Sequence, residues 1–354
     1  MKCLPQEKLA SAHGNILHDC HAEILTLRAF NRFLLEECSS LADVDGKRKD
    51  SSILVFNDED GPPFSIRQDV TLHMYCSEAP CGDASMELTM QAQDDATPWT
   101  GKRAPAMSTL SLDSIHVPAT GDDEILHGRG FFGKLGVVRR KPARPDAPTT
   151  LSKSCTDKLA LKQCISILSS ISALLVDSRN TYIQSLVLPF SQLIPASFER
   201  AMGPSGRMAV ISDTGQNAQE LPFRPYQILG TEREFEFSRR NKPTPNGVVV
   251  PSNLAAVAFG ATQETLVNGV LQGRKQGDPR GASALSRRRM WELASSIAQN
   301  LRSADLTAAL SEPLYTDLKS AKLLDTRRWT KSEVRRFALK GWKSNLGDDE
   351  WGIT

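Results

Sequence analysis

The sequence has no run of about 18 apolar residues, the length that a membrane-crossing helix needs, and its first residues carry no basic segment followed by an apolar stretch. Those absences lead us to expect an intracellular protein, in the nucleus, the cytoplasm or both, that does not engage a membrane. The dense, regular cysteine spacing of a disulfide scaffold is missing too. Seven cysteines, at 3, 20, 38, 76, 81, 155 and 164, make an odd number, so free thiols or metal ligands are expected in place of bridges. There is no internal repeat, and nothing implies an obligate protein partner.

What is present describes an ordinary globular chain: 354 residues, 40% hydrophobic and 24% charged. The length fits one large domain over 1–354, with a core in 1–200 and a mainly helical part over 201–354. The net charge of +2 conceals an asymmetry, because residues 239–343 hold 19 Lys and Arg against 8 Asp and Glu. The C-terminal part should therefore meet a polyanion.

Ile24, Leu27, Phe30 and Leu34 recur at helical spacing and predict a helix over 22–35. Residues 53–56 are a short apolar run, and 70–76 alternate Leu72, Met74 and Cys76 against Thr71, His73 and Tyr75, the pattern of a strand. Residues 84–90 can form a helix, whereas 94–130 are rich in Pro, Thr, Ser, Gly and Asp and read as a surface insertion. A strand is expected over 131–139, then an extended basic loop over 141–150 with prolines at 142, 145 and 148. A helix from Ser154 through Ile171 or beyond, a strand over 182–189, a helical turn over 197–202 and three C-terminal helices near 281–300, 312–324 and 330–343 complete the reading.

Three short segments carry chemistry: His21-Ala22-Glu23, Pro80-Cys81-Gly82-Asp83 and Ser154-Cys155-Thr156-Asp157-Lys158. One imidazole and two thiolates give three ligands for Zn2+ and leave a fourth position for water, as a catalytic zinc requires. Glu23, near the metal without binding it, is then free to carry a proton from water to a ring nitrogen and a leaving amine. Each segment lies at or near an expected helix N-terminus, where partial positive charge favours thiolate. Any one of these residues alone reads as an ordinary buried or solvated side chain. A Glu two residues after the His and a Pro before the first Cys, found jointly, match the zinc nucleobase deaminase signature.

The second cysteine of the commonest pattern, three residues after Cys81, is absent, since position 84 is alanine. With Cys155 in a distant Ser-Cys-Thr-Asp-Lys segment, the chain resembles the editase branch of the deaminases, which comprises the messenger RNA editors of ADAR type and the eukaryotic transfer RNA adenosine deaminases. Their motif is Ser-Cys-Ser-Asp-Lys. The resemblance implies a cytidine-deaminase-like α/β fold, a mixed sheet backed by the His21 and Cys155 helices, with a helical C-terminal extension. It also implies that the first helix and part of the first strand are missing, because Met1-Lys2-Cys3 matches a motif that relatives reach later in the chain. The loop Lys141-Pro142-Ala143-Arg144 is similar to the Lys-Pro-Gly-Arg loop of the transfer RNA enzymes. That likeness implies conversion of adenosine to inosine at position 37, beside the anticodon, of alanine transfer RNA. The alternatives are an editor of duplex RNA and a non-catalytic RNA-binding subunit containing zinc.

The same resemblance implies a buried inositol hexakisphosphate held by Arg28, Lys158, Arg287, Tyr315, Lys319, Lys331 and Trp342. Leu27 and Leu161 stand where the messenger RNA editors have arginine, which implies a thinner or rearranged shell. For RNA phosphate, the expected contacts are Arg139, Arg140, Lys141 and Arg144 in the basic loop and Lys2 near the start.

Overall fold

The computed structural model describes residues 3–42, 50–57, 60–92, 126–127, 133–141, 148–213, 221–238, 240 and 252–353. Helix α1 (Ala22–Leu41) continues past the expected end because Leu35, Cys38 and Leu41 extend its apolar face and are buried. There follow β1 (Leu54–Phe56), β2 (Phe64–Ile66), β3 (Leu72–Tyr75), α2 (Met86–Gln91), β4 (Leu126–His127), β5 (Arg139–Arg140), α3 (Cys155–Ile165), α4 (Ser172–Leu175) and β6 (Ile183–Pro189). The rest comprises α5 (Pro195–Met202), α6 (Ala209–Asp213), β7 (Gln227–Thr231), β8 (Leu254–Phe259), β9 (Thr262–Val267), β10 (Val270–Leu271), α7 (Arg287–Leu301), α8 (Ala304–Leu310), α9 (Tyr315–Ser320) and α10 (Asp325–Phe337).

Strand β6 is the middle of a three-stranded sheet, paired in parallel with β3 on one side and β7 on the other. Its residues alternate little in burial, as a strand covered on both faces should. The α3 residues Leu159, Ala160 and Leu161 cluster with Leu186 and Leu188 of β6, Phe198 and Ala201 of α5, and Val334 of α10. A second cluster joins Leu34, Leu35 and Cys38 of α1 to Met290, Trp291 and Ala294 of α7. These two clusters fix α1 and α3, whose N-termini carry the expected metal ligands.

Several expectations need correction. The helix beginning at Cys155 stops at Ile165 and does not reach Ile171, because Ser166 takes a left-handed backbone conformation (φ 60°) that no helix can continue through. Of the strand expected over 131–139, only Arg139 pairs, within β5, while 133–138 form turn and bend and 131–132 fall outside the described residues. Over 281–343 the described residues form four α-helices where three were expected, and the 201–354 part is less helical than supposed. Strands β8, β9 and β10 form an antiparallel meander whose Phe259 and Leu266 pack on Leu25 and Ala29 of α1. Its signal lay in Asn268-Gly269, both at positive φ, the two-residue turn that hairpins favour. Apart from 126–127, the 94–130 segment lies outside the described residues.

No described helix is long and apolar enough to cross a membrane. No two of the seven cysteines are joined by a disulfide.

Candidate metal centre and cationic cavity

His21 is the N-cap of α1, and Glu23 stands in that helix's first turn. Cys81 lies on the segment leaving the carboxyl end of β3, and Cys155 is the first residue of α3. The two cysteine segments are stitched together by backbone. The Thr156 N–H donates to the Cys81 carbonyl (3.0 Å), and the Cys155 N–H donates to Cys81 Sγ (3.4 Å). The Thr156 hydroxyl adds a bond to the Pro80 carbonyl (3.0 Å). So close an approach requires Gly82: at its φ of 118° a Cβ would collide with the Ser154 side chain.

Asp19, buried, organises the surroundings. Its Oδ1 accepts from His21 Nδ1 (2.7 Å), and its Oδ2 accepts from Lys141 Nζ (2.7 Å), the Ser152 hydroxyl (3.1 Å) and Lys158 Nζ. Asp19 therefore fixes the imidazole with Nδ1 occupied, and Nε2 is left without a partner among the described residues. This is the usual outer support of a metal-ligating histidine. Cys3 Sγ approaches His21 Nδ1 (3.8 Å), so Cys3, Asp19 and His21 form a compact group whose ligand atoms lie within 4.8 Å of one another. With both Asp19 oxygens occupied, that group orients His21; among the described residues, His21, Cys81 and Cys155 do not form a group with all ligand atoms within 4.8 Å of one another.

The ammonium of Lys141 also lies 3.1 Å from Cys155 Sγ. The hydrogen bond from Cys155, aided by the Lys141 charge, holds the Cys81 thiol well below its ordinary range, while burial pushes Cys155 up. Burial opposes protonation of His21, but the bonds to Asp19 and Cys3 outweigh it and raise the ring to about 10. Burial, then the charge on Cys81, raises the Glu23 carboxyl. Two adjacent cysteines beside a cation, with a histidine oriented by a carboxylate, are residue types that fit zinc.

The basic-loop expectation is corrected here. Arg139 is 1% exposed and Lys141 4%, so neither can meet an external phosphate. Antiparallel pairing of Arg140 with Lys153 draws the segment inward, with Lys141 N–H on the Ser152 carbonyl (2.7 Å). Arg140 is half-buried, and Lys2 and Arg144 lie outside the described residues.

Behind this centre lies a cavity of about 260 Å³ bounded by α1, α3, α7 and α10. Six of the seven residues expected to hold a polyanion line it: Arg28, Lys158, Arg287, Tyr315, Lys331 and Trp342. Lys319 does not, and stands in an adjoining groove. Lys162, Arg327 and Arg335 line the cavity too and were not anticipated. The available signal was their four-residue spacing, 158 to 162 on α3 and 327 to 331 to 335 on α10, which puts each set on one helical face.

Among the described residues, no carboxylate lines this cavity. Lys162 Nζ is bonded, among the described residues, only to the carbonyls of Ile167 (3.1 Å) and Leu168 (2.6 Å), and Arg327 donates to those of Ile165 and Leu168. Lys331 has no hydrogen bond or ion pair among the described residues. Burial and then neighbouring like charge push Lys331 down to about 7 and Lys162 well below its ordinary range. Buried cations without counter-ions are costly unless a ligand supplies the charge, so the cavity fits a compact polyanion.

A parallel-sheet layer thus places the Cys81 and Cys155 segments against each other, with His21 and Glu23 at the start of α1 and Cys155 at the start of α3. The profile of the adenosine-deaminase (editase) domain matches residues 1–345. A tRNA-specific adenosine deaminase 1 from Schizosaccharomyces pombe is 34% identical over 356 residues, covering 99% of this chain and 82% of the relative. The protein of the same name from Saccharomyces cerevisiae is 29% identical, covering 84% and 69%. A double-stranded RNA-specific editase from Drosophila melanogaster is 26% identical over 57% of this chain and 27% of its own length. The chain belongs to the adenosine-deaminase (editase) family.

Proposed function

We propose that this chain hydrolytically converts adenosine to inosine in transfer RNA. The observation that carries the reading is the similarity to a transfer RNA deaminase along 99% of the chain, together with retention of Glu23 on the first turn of α1. His21 through Nε2, Cys81 and Cys155 would hold the zinc. Zinc bound there supplies a Lewis acid that makes water nucleophilic at neutral pH. Glu23 would take one proton from water and deliver it to ring N1, then take the second from the new C6 hydroxyl and give it to the departing amine. A C6–O bond forms, the C6–N6 bond breaks, and ammonia leaves. A carboxyl raised by burial suits a group that must both accept and return a proton. Asp19 orients His21, and Lys141 holds charge against Cys155.

The finer substrate, position 37 of alanine transfer RNA, rests on the likeness of the 141–144 segment. A loop adenosine can be taken without breaking a base pair. Arg140 is the remaining described candidate for phosphate contact. The cavity residues Arg28, Lys158, Arg287, Tyr315, Lys331 and Trp342, with Lys162, Arg327 and Arg335, would hold inositol hexakisphosphate, with Lys319 at the margin.

The protein should be incubated with total transfer RNA and with duplex RNA, and both sequenced for A-to-G changes. Inosine in transfer RNA is expected from the wild type. Glu23→Ala should retain metal and lose at least about 100-fold in rate. Unchanged turnover in that variant, or editing confined to duplex RNA, would overturn the reading.

A further inference from the structure

The parallel strands β3, β6 and β7 all end on one edge of their sheet, at Tyr75, Pro189 and Thr231. Ligands of open α/β sheets lie outside such carboxyl ends. Cys81 follows β3 there, Phe190 follows β6 directly, and Phe235 and Phe237 follow β7. The three phenylalanines are exposed, Phe190 to 56%, Phe235 to 46% and Phe237 to 62%.

The segments that carry them are joined to one another and to the metal centre. The Ser191 hydroxyl donates to Glu234 (2.5 Å), and the Phe235 and Phe237 rings meet edge-on with centroids 5.7 Å apart. Phe190 lies against Gly230 of β7, where a Cβ would collide with its ring. Tyr75 donates to the Arg233 carbonyl (3.2 Å), and Arg240 donates to the Ser77 carbonyl (2.9 Å) and pairs with Glu78 and Glu234 (2.7 Å each). The Ala79 N–H, just before Cys81, donates to the Gln192 side chain (3.2 Å), just after Phe190.

We propose that Phe190, Phe235 and Phe237 form a stacking platform for the unpaired bases that flank the adenosine entering the metal centre. The proposal rests on the RNA reading given above and names residues that grip the loop.

An adenosine presented from a loop leaves its neighbours splayed, and proteins hold such bases on aromatic faces. A single exposed hydrophobe is commonplace, but three phenylalanines gathered at the carboxyl edge of a sheet, beside a candidate catalytic centre, form a patch that gains free energy only when covered. Charge decides how RNA would lie on it. Glu232 and Glu236 are exposed and make no ion pair among the described residues, so a phosphate backbone is repelled here. The surface therefore offers ring faces to bases, and the sugar-phosphate chain runs on their far side. A basic protein segment would also suit rings among carboxylates, but the tie to the Cys81 segment favours the substrate, which must reach that centre.

The test incubates trace total transfer RNA with an excess of the full-length protein and follows inosine by sequencing while protein concentration is varied. This gives a half-saturating concentration and a limiting rate. The variant carrying Phe235→Ala and Phe237→Ala should raise the half-saturating concentration at least about tenfold, the scale of one lost base stack. Its limiting rate should stay within about twofold of wild type, on the same ground that stacking acts in binding, and its melting temperature should not change. Phe235→Trp with Phe237→Trp should restore tight binding. The salt dependence should keep its wild-type slope, since no phosphate contact is lost. If the double alanine variant does not fold, Phe237→Ala alone should weaken half-saturation about fivefold. Wild-type half-saturation in the alanine variants, or a loss confined to the limiting rate, would overturn the proposal. So would a double variant that handles RNA normally but changes its mass in light scattering, since the patch would then join two copies of the chain. Wild-type protein that makes no inosine in transfer RNA would remove the RNA reading itself, an outcome distinct from an active wild type whose alanine variants behave like it.

Discussion

Lys141 sits in a basic segment, where sequence invites an assignment to RNA, yet its ammonium is turned inward between Asp19 and Cys155. Only the antiparallel pairing of 139–141 with 152–154 decides that direction, and no local pattern reports it. Replacing it by methionine keeps the volume and removes the charge next to the sulfur. Lys141→Met should weaken zinc retention about 10- to 100-fold, the usual cost of losing a support around metal ligands. Chelator competition on folded protein measures this, and wild-type retention would contradict the role given to Lys141. Gly82 was legible only as part of a motif, whereas the structure gives the reason for it. Gly82→Ala should separate the Cys81 and Cys155 segments, lowering both zinc content and melting temperature, and a variant matching the wild type in both would show that the approach is not required.

Helix α3 is short and held mainly by its first turn. Ser154 Oγ accepts from the Asp157 N–H (3.1 Å) and donates to the Asp157 carboxylate (2.6 Å). That carboxylate also accepts from the Arg139 N–H (2.9 Å) and from Arg207 (2.7 Å). The pair with Arg207 is almost wholly buried, so Arg207→Met would strand a buried carboxylate at the end of the helix that bears Cys155. Removing one partner of such a pair costs about 3 to 5 kcal/mol. A fall in the melting temperature of the folded protein is the expected readout, and a variant as stable as the wild type would show that Asp157 finds another partner. The cap was readable from Ser154 and Asp157. Arg207, 50 residues further along, was not, because its pairing depends on how α5 and the turn after it fold back.

Over the whole molecule, much of the basic excess of the C-terminal part is gathered around an interior cavity and an adjoining groove. This makes the charge balance depend on a ligand. Lys331, facing Arg335, Arg327, Lys319 and Arg287, stays deprotonated down to about pH 7 in the protein without a polyanion, against an ordinary lysine value of 10.5 in the unfolded chain. Between those values the unfolded state binds the extra proton, so stability rises with pH from about 7 towards 10.5, and the full penalty is present below about 7. Protein stripped of polyphosphate should accordingly melt at a higher temperature at pH 9 than at pH 7. Protein loaded with inositol hexakisphosphate should melt higher at pH 7 and show a smaller rise. A stripped protein whose stability falls over that interval would show that these cations are not held uncharged.

The sequence by itself picked out His21, Glu23, Cys81 and Cys155 as the chemical candidates, because donor atoms are fixed by residue type, whereas their acidities are set by burial, Asp19 and Lys141. It also determined α1, β3 and β6, where periodicity is strong over a sufficient length. Tertiary structure alone decided which basic residues face inward. A lysine or arginine reads the same whether it reaches solvent, a sulfur or a buried cavity, and its direction is set by which strands pair and which helix faces meet. For that reason Arg139 and Lys141 moved from the RNA surface to the interior, Lys162, Arg327 and Arg335 joined the cavity, and Lys319 moved to its margin.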